Sequence, residues 1–295
     1  MSRGTPLAVI GPGRAGLALA RLLARRGFPL TGIVARTRAS ARRASRLSGR
    51  GAGTLDLAGA VAPARVILLC VPDSEIPAAA GALGSLPSPG VRSKTILHTS
   101  GAFSCAVLEP ARRAGAAVGS LHPLVSFPEP GAAPPDLRGV AFGVDGDPRA
   151  LRVARALARR LGGVPIAIPA QARGAWHLAA SLTAPGLVAL LDAGIDLARR
   201  RTGIPERRAR EAFLALAASV LRNLARVGPR RAMTGPVVRG DERTVARHLQ
   251  ELAGEDPALE SLYRLLSLRA LAIARAGGRL DPDRAGEIER LLLRH

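Results

Sequence analysis

The sequence is poor in aromatic residues and in cysteine. Phenylalanine, tryptophan and tyrosine together make up 2% of its 295 residues, so it lacks the aromatic platforms on which single-stranded nucleic acids stack. Two cysteines, Cys70 and Cys105, are too few for a disulfide framework. They indicate a reducing compartment and a cytoplasmic protein.

Lysine is almost absent as well, because Lys94 is the single lysine and arginine carries the remaining positive charge. A formal net charge of +21 is typical of proteins that bind nucleic acid. Here, however, the arginines are scattered through the whole chain among abundant alanine and glycine, which indicates a coding bias. We therefore expect no specific nucleic-acid partner, only weak nonspecific binding at low salt.

Targeting and membrane-spanning segments are not predicted. The first apolar run begins at Leu7, which leaves no room for a signal peptide before it. The most apolar stretch, around residues 186–197, contains Asp192 and Asp196 and is not expected to cross a membrane. No residue is assigned to a metal site.

A glycine-rich loop near the start of the chain is the most informative feature that the sequence does contain. The apolar residues 7–10 predict a strand, and the pattern from Leu17 to Arg26 predicts a helix. In this setting a Gly-x-Gly-x-x-Gly loop permits a tight turn, the approach of a pyrophosphate to the backbone, and close packing of helix on strand. We predict dinucleotide binding, rather than a turn without a ligand, by Gly11, Pro12, Gly13, Arg14, Ala15 and Gly16.

The residues after the second predicted strand favour NADP over NAD. In NAD-binding domains a carboxylate about 20 residues past the fingerprint binds the ribose 2′-hydroxyl. Here the strand at residues 30–35 is followed by Arg36, Thr37 and Arg38, and the next carboxylate is Asp56. Guanidinium and hydroxyl groups suit a 2′-phosphate, whereas Arg42 and Arg43 are expected to be solvated.

The remaining pattern predicts a doubly wound, mostly parallel Rossmann sheet over residues 1–169, because strand-like and helical stretches alternate there. After Pro169 nearly everything reads as helix punctuated by proline. Residues 170–295 are therefore expected to form an all-helical domain for substrate binding or dimerisation. Its apolar helices predict a homodimer.

Loops that follow the predicted strands are expected at the carboxyl edge of the sheet, where ligands bind. Two of the five histidines fall there. His122 is assigned toward the nicotinamide side, with a role in catalysis. His98 either contacts substrate or holds its own loop. The same edge predicts further cofactor contacts from Val71, Pro72, Asp73, Ser100 and Gly101.

The first helix after the sheet carries Arg173, His177 and Ser181 at a spacing that places them on one face. That face is either directed at substrate or simply solvated, and the single tryptophan, Trp176, is expected to pack.

Taken together, several of these segments resemble an uncharacterised bacterial family that pairs an NADP-binding Rossmann domain with an all-helical C-terminal domain. The likeness rests on the strand-end loops, on Trp-His-Leu-Ala-Ala at positions 176–180 and on Thr-Gly-Pro-Val-Val-Arg-Gly-Asp at positions 234–241. More distantly the chain is similar to pyrroline-5-carboxylate reductase, ketopantoate reductase and the β-hydroxyacid dehydrogenases. Those relatives imply hydride transfer between NADPH and a C=O or C=N bond.

One departure from these relatives concerns the proton donor. The β-hydroxyacid dehydrogenases carry a lysine and an asparagine on the first helix after the Rossmann domain, whereas Lys94 lies before that helix and Asn223 well after it. A proton must therefore come from His177, His122, a hydroxyl or water. Arg173 is assigned to a substrate carboxylate.

The segment 234–241 joins two predicted helices and supplies the remaining substrate candidates. Thr234, Arg239 and Asp241 are expected to reach the cleft, although Asp241 is equally suited to cap the following helix. Asn223 either binds substrate or bonds between helices.

The sequence as a whole predicts an NADPH-dependent reductase of a small, carboxylated ketone or imine, bound between the Rossmann edge and the helical domain. The main alternative is a non-catalytic NADP-binding sensor or partner-binding protein. DNA binding, which rests on charge alone, is the third hypothesis.

Overall fold

Eight strands form one sheet in the computed structural model, which describes residues 4–48 and 53–294. Most are short, apolar and buried on both faces, as expected for strands covered by helices. Their bounds are Leu7–Ile10 (β1), Leu30–Val34 (β2), Gly53–Thr54 (β3), Val66–Leu69 (β4), Thr95–His98 (β5), Ala117–Pro123 (β6), Ala141–Gly146 (β7) and Val164–Ala167 (β8).

The strand order is β3-β2-β1-β4-β5-β6-β7-β8, and every neighbouring pair is parallel except β6 and β7. The exception has a local cause. Residues 124–140 between these two strands contain four prolines and no helix, so they do not supply the helical crossover that a parallel pair requires. The predicted doubly wound, mostly parallel sheet is confirmed.

Six helices cover the two faces of the sheet: Arg14–Arg25 (α1), Arg38–Ser48 (α2), Leu57–Val61 (α3), Ile76–Gly84 (α4), Glu109–Arg113 (α5) and Pro148–Arg160 (α6). One core contains Leu19 of α1, Ala44 of α2 and Leu157 of α6. The other contains apolar residues of α3, α4 and α5. The strands between them contribute side chains alternately to the two cores, which is the period-two pattern of a sheet.

The helices that follow the sheet are Arg173–Thr202 (α7), Glu206–Ala232 (α8), Pro236–Arg239 (α9), Glu242–Leu252 (α10), Pro257–Ala276 (α11) and Pro282–Leu293 (α12). The chain divides into two compact units, residues 1–185 and 186–295. This boundary falls inside α7, later than the 169/170 boundary expected from sequence, because the first turns of α7 pack against loops of the sheet.

The second unit has a small core of its own, built from Val237, Val245, Leu271, Ile288 and Leu292 with neighbouring apolar residues. Several large apolar side chains on its helices are nevertheless exposed, among them Val188, Leu214, Leu216, Val220 and Leu221.

By length and composition alone, the helical segment Ala170–Thr202 would be able to cross a membrane, which the sequence reasoning did not expect. Arg173 at its start is buried in protein, and Asp196 pairs with Arg199 and Arg200.

Candidate functional site

The glycine loop between β1 and α1 has the shape that a dinucleotide needs. Gly11 has a φ of +96°, and a Cβ there would lie 2.5 Å from the carbonyl oxygen of Cys70. A Cβ on Gly16 would lie 2.0 Å from the carbonyl oxygen of Gly11. These two positions therefore need glycine for folding, because a side chain would collide with backbone.

Gly13 is different, since a Cβ on it would meet nothing within 4 Å. It is the N-cap of α1, and no side chain caps that helix. The first N–H groups of α1 therefore face open space next to a position without a side chain, which suits a phosphate. These residues fit the phosphates of a dinucleotide. Val71, after β4, lies against the same loop, where its Cγ1 would be 3.0 Å from a Gly11 Cβ.

The residues expected to hold a 2′-phosphate follow β2. Arg36 donates from Nη1 to Glu75 Oε1 at 3.0 Å, so it already has a carboxylate partner. The Thr37 hydroxyl accepts from the backbone N–H of Ser40 and thus stabilises the start of α2.

Arg38 is exposed and lines a groove of about 680 Å³ together with Arg42 and Arg46. None of these three arginines has a carboxylate within ion-pair distance in the described part of the chain. The groove is therefore strongly basic.

The loop after β5 is stabilised by hydrogen bonds within the loop and by hydrogen bonds from Arg173 of α7. The Ser100 hydroxyl accepts hydrogen bonds from the backbone N–H groups of Ala102 and Phe103. Arg173, which is 1% exposed, donates from Nε to the Phe103 carbonyl at 3.0 Å and from Nη2 to the Ser100 carbonyl at 2.6 Å. Burial lowers the pKa of Arg173. These contacts argue against the expected role for Arg173 on a substrate carboxylate, because two of its donors hold the loop.

His98, at the end of β5, is fully buried. Its Nε2 lies 3.2 Å from the Ser104 carbonyl, a geometry in which the ring donates. Burial, and then the positive charge of Arg173, lower the pKa of His98 to about 4. Because no atom of His98 is exposed, the ring has no surface that a substrate can contact in this structure. Its bond to Ser104 instead agrees with the alternative expectation, that His98 holds its own loop.

His122 is placed by the single tryptophan, which sequence reasoning assigned only to packing. Trp176 Nε1 donates to His122 Nδ1 at 3.2 Å. Because an indole N–H only donates, Nδ1 is the acceptor, and the proton of the neutral ring is on Nε2. Burial, and then the charges of Arg173 and His177, lower the pKa of His122 to about 4, so the ring is neutral near pH 7.

His177 lies beside His122 above Gly101, with ring centroids 6.0 Å apart. A Cβ on Gly101 would be 2.7 Å from His177 Nδ1 and 2.8 Å from His122 Nε2. One nitrogen of each ring is thus directed at the same glycine, which must lack a side chain to admit both. The structure thus brings these two histidines together beside the loop that follows β5.

Four buried side-chain nitrogen or oxygen atoms lack a hydrogen-bond partner among the described residues, and all belong to this neighbourhood: His98 Nδ1, Asp145 Oδ1, Arg173 Nη1 and His177 Nδ1. Leaving a buried polar atom without a partner lowers the free energy of unfolding, and a functional role is one reason for a protein to retain such an atom.

Asp145, in β7, was missed by the sequence reasoning. It accepts from the Cys105 N–H through Oδ2 and stands opposite Ser120 of β6. The available signal was a carboxylate directly after the short apolar stretch at residues 140–144.

The remaining substrate candidates lie in the second unit. Asp241 caps α10, since its two carboxylate oxygens accept from the N–H and the hydroxyl of Thr244, and these bonds lower its pKa. Asn223 accepts a long hydrogen bond of 3.5 Å from Arg226 on its own helix. Thr234 and Arg239 are exposed on either side of Gly235 and Pro236.

Acidification is expected to destabilise the protein through His98. Its folded-state pKa of about 4 lies below the ordinary value near 6.5, so the unfolded chain binds the proton more readily between these limits. The free energy of unfolding therefore falls as the pH decreases through this range, by about 2 kcal/mol for this residue between pH 7 and pH 5. Asp145 and Asp73 oppose this effect, and Arg173 reinforces it.

Urea denaturation of wild type and His98→Asn at the two pH values measures this contribution. The variant is expected to lose about 2 kcal/mol less than wild type between pH 7 and pH 5. Equal losses in both proteins would assign the acid sensitivity to other groups.

Comparison with known proteins identifies the two parts of the chain. Residues 4–123 match the profile of a Rossmann-like domain, and residues 140–270 match a domain of unknown function, DUF2520. The chain therefore carries a Rossmann-like domain followed by a C-terminal DUF2520 domain, which confirms the resemblance found in the sequence. No curated protein matches the sequence.

Solved structures show the same architecture over nearly the whole chain. A Bacteroides fragilis protein provisionally described as an NADP oxidoreductase is 26% identical, with a TM-score of 0.74 over 91% of this chain and 98% of that one. An imine reductase from Pseudomonas sp. is 19% identical, with a TM-score of 0.65 over 97% and 99%. A reductive aminase from Aspergillus terreus, in complex with NADPH and ethyl-5-oxohexanoate, is 18% identical, with a TM-score of 0.59 over 98% and 92%.

Proposed function

We propose that this protein is an NADPH-dependent oxidoreductase that reduces a C=O or C=N bond in a small molecule. The observation that carries the proposal is the convergence of His122 Nε2 and His177 Nδ1 on Gly101. Both rings lie at the sheet edge where ligands of this fold bind. The description of the Bacteroides protein as an NADP oxidoreductase supports the same class.

The cofactor is assigned to the edge that carries the glycine loop. Gly13 and the N-terminus of α1 receive the pyrophosphate, and Arg36 and Arg38 receive the 2′-phosphate. When bound, the nicotinamide supplies a hydride to the carbon of the substrate double bond. We retain the cofactor contacts predicted from the sequence for Pro72, Asp73, Ser100 and Gly101.

The two histidines have different tasks in this proposal. Since the pKa of His122 is about 4, its ring is neutral near pH 7 and has no imidazolium proton to transfer. Its Nε2–H can still donate a hydrogen bond, which polarises the substrate oxygen or nitrogen. His122 therefore orients and polarises. His177, whose buried Nδ1 has no hydrogen-bond partner among the described residues, transfers the proton that completes the reduction.

The expected carboxylate on the substrate has lost its main support, because Arg173 is buried and holds a loop. We therefore extend the substrate class to uncharged ketones and imines.

We also propose that a second copy of the chain covers the exposed apolar side chains of the second unit, since exposed apolar patches are typical of subunit interfaces.

Two measurements on the purified protein test the function. Calorimetric titration with NADPH is expected to show binding, and absorbance is expected to show NADPH oxidation with at least one member of a panel of cyclic imines, ketones and 2-oxo acids. Binding without oxidation across the panel would favour a non-catalytic NADP-binding sensor. An absence of NADPH binding would overturn both hypotheses.

A further inference from the structure

Two loops that flank the glycine loop are joined by an ion pair. In the sheet, β1 lies between β2 and β4. Arg36 follows β2, Glu75 follows β4, and the glycine loop follows β1. Since these strands are parallel, their three loops lie side by side. The 3.0 Å contact between Arg36 Nη1 and Glu75 Oε1 therefore joins the two loops on either side of the glycine loop.

The carboxylate of Glu75 is not needed by its own helix. Glu75 stands at the N-cap position of α4, yet its side chain makes no capping hydrogen bond there. It turns to Arg36 instead. The two side chains are 81% and 42% exposed for arginine and glutamate respectively, and exposed pairs contribute little to folding. Neither helix capping nor stability accounts for the contact.

We infer that Glu75 is a specificity-determining residue that limits the preference of the site for NADPH over NADH. This inference rests on the proposed cofactor role of Arg36. A 2′-phosphate can pair with Arg36 only when the ion pair between Arg36 and Glu75 breaks. The negative charge of the phosphate is also repelled by the Glu75 carboxylate, which remains nearby. A 2′-hydroxyl carries no charge and meets no such repulsion.

A second ion pair at the same loop provides a matched control. Arg14, at the start of α1, pairs with Glu129 of the proline-rich segment, and both side chains are exposed. Arg14 belongs to the loop assigned to the pyrophosphate, which NADPH and NADH share. Glu129→Gln therefore removes a similar glutamate from a similar arginine, but it is expected to change the two affinities equally.

Calorimetric titration of NADPH and NADH at one fixed low ionic strength tests the inference. Glu75→Gln is expected to raise the ratio of NADPH to NADH affinity about two- to fivefold, the range given by an exposed charge pair. Glu129→Gln leaves the ratio at its wild-type value. Arg36→Ala lowers the ratio, and in the Arg36→Ala background Glu75→Gln improves NADPH binding less than it does in the wild-type background, because the competition for the arginine is gone and only the charge repulsion remains to be relieved.

The outcomes separate this inference from the function on which it rests. If wild type binds neither cofactor, the proposed function fails. If Arg36→Ala weakens NADPH binding while Glu75→Gln leaves the ratio unchanged, the cofactor assignment stands and the role of Glu75 is overturned. A ratio that rises equally in Glu75→Gln and Glu129→Gln also overturns it, since the effect would then be general charge.

Discussion

Gly13→Val is expected to abolish NADPH binding and to leave the protein folded. Gly13 has a φ of −73°, which valine adopts without strain, and a Cβ there meets nothing within 4 Å. The added branched side chain would instead fill the open space in front of the first turn of α1, where a pyrophosphate must approach the backbone. Calorimetry should detect no binding at NADPH concentrations that saturate wild type.

Gly16→Ala is the contrasting control for this prediction. A Cβ at position 16 would lie 2.0 Å from the Gly11 carbonyl oxygen, so this smaller substitution is expected to lower the thermal midpoint of unfolding more than Gly13→Val does. If folded Gly13→Val binds NADPH with wild-type affinity, the loop does not hold a pyrophosphate.

The contrast between the two glycines also shows what the sequence predicts well. Strand, tight turn and helix are close together in the chain, so the period of apolar residues and the spacing of glycines predict them directly. The same local reasoning located the loops at the ends of β4, β5 and β6. It did not identify the two-residue strand β3, which is too short to show a period.

The contacts that organise the site are beyond local pattern. Arg173 reaches carbonyl groups 70 and 73 residues earlier in the chain, and Trp176 reaches a histidine 54 residues away. A helix-face argument correctly put Arg173 and His177 on one side of α7, but it could not say that the arginine would be buried beneath a loop. Which partner a polar group finds is decided by tertiary packing.

Glu75 illustrates the same limit for the cofactor side. The sequence showed the missing carboxylate after β2 and the arginine in its place, and this remains the reason for proposing NADP. It could not show that a carboxylate returns to that arginine from the loop after β4, because the pairing depends on the order of strands in the sheet.

His177→Gln is expected to reduce turnover about 10²–10⁴-fold, the typical contribution of a positioned acid or base. Glutamine has a similar size and keeps a polar side chain beside Gly101, but it does not transfer a proton. NADPH affinity is expected to stay at the wild-type value, so the loss should be seen in kcat with the substrate found in the panel. His248→Gln is the matched control, since His248 bonds Tyr263 in the second unit.

The pH dependence of kcat distinguishes proton transfer from a merely structural role of His177. If His177 supplies the proton, replacing it changes the pH dependence of kcat, so the profiles of wild type and His177→Gln differ in shape. His122→Gln should lower kcat but keep the shape of the wild-type profile, because His122, with a pKa of about 4, stays neutral near pH 7 and only donates a hydrogen bond. Two results would contradict this role: a folded His177→Gln protein with wild-type kcat, or a slower variant whose pH profile of kcat has the wild-type shape. Either result would assign proton transfer to water or to another side chain.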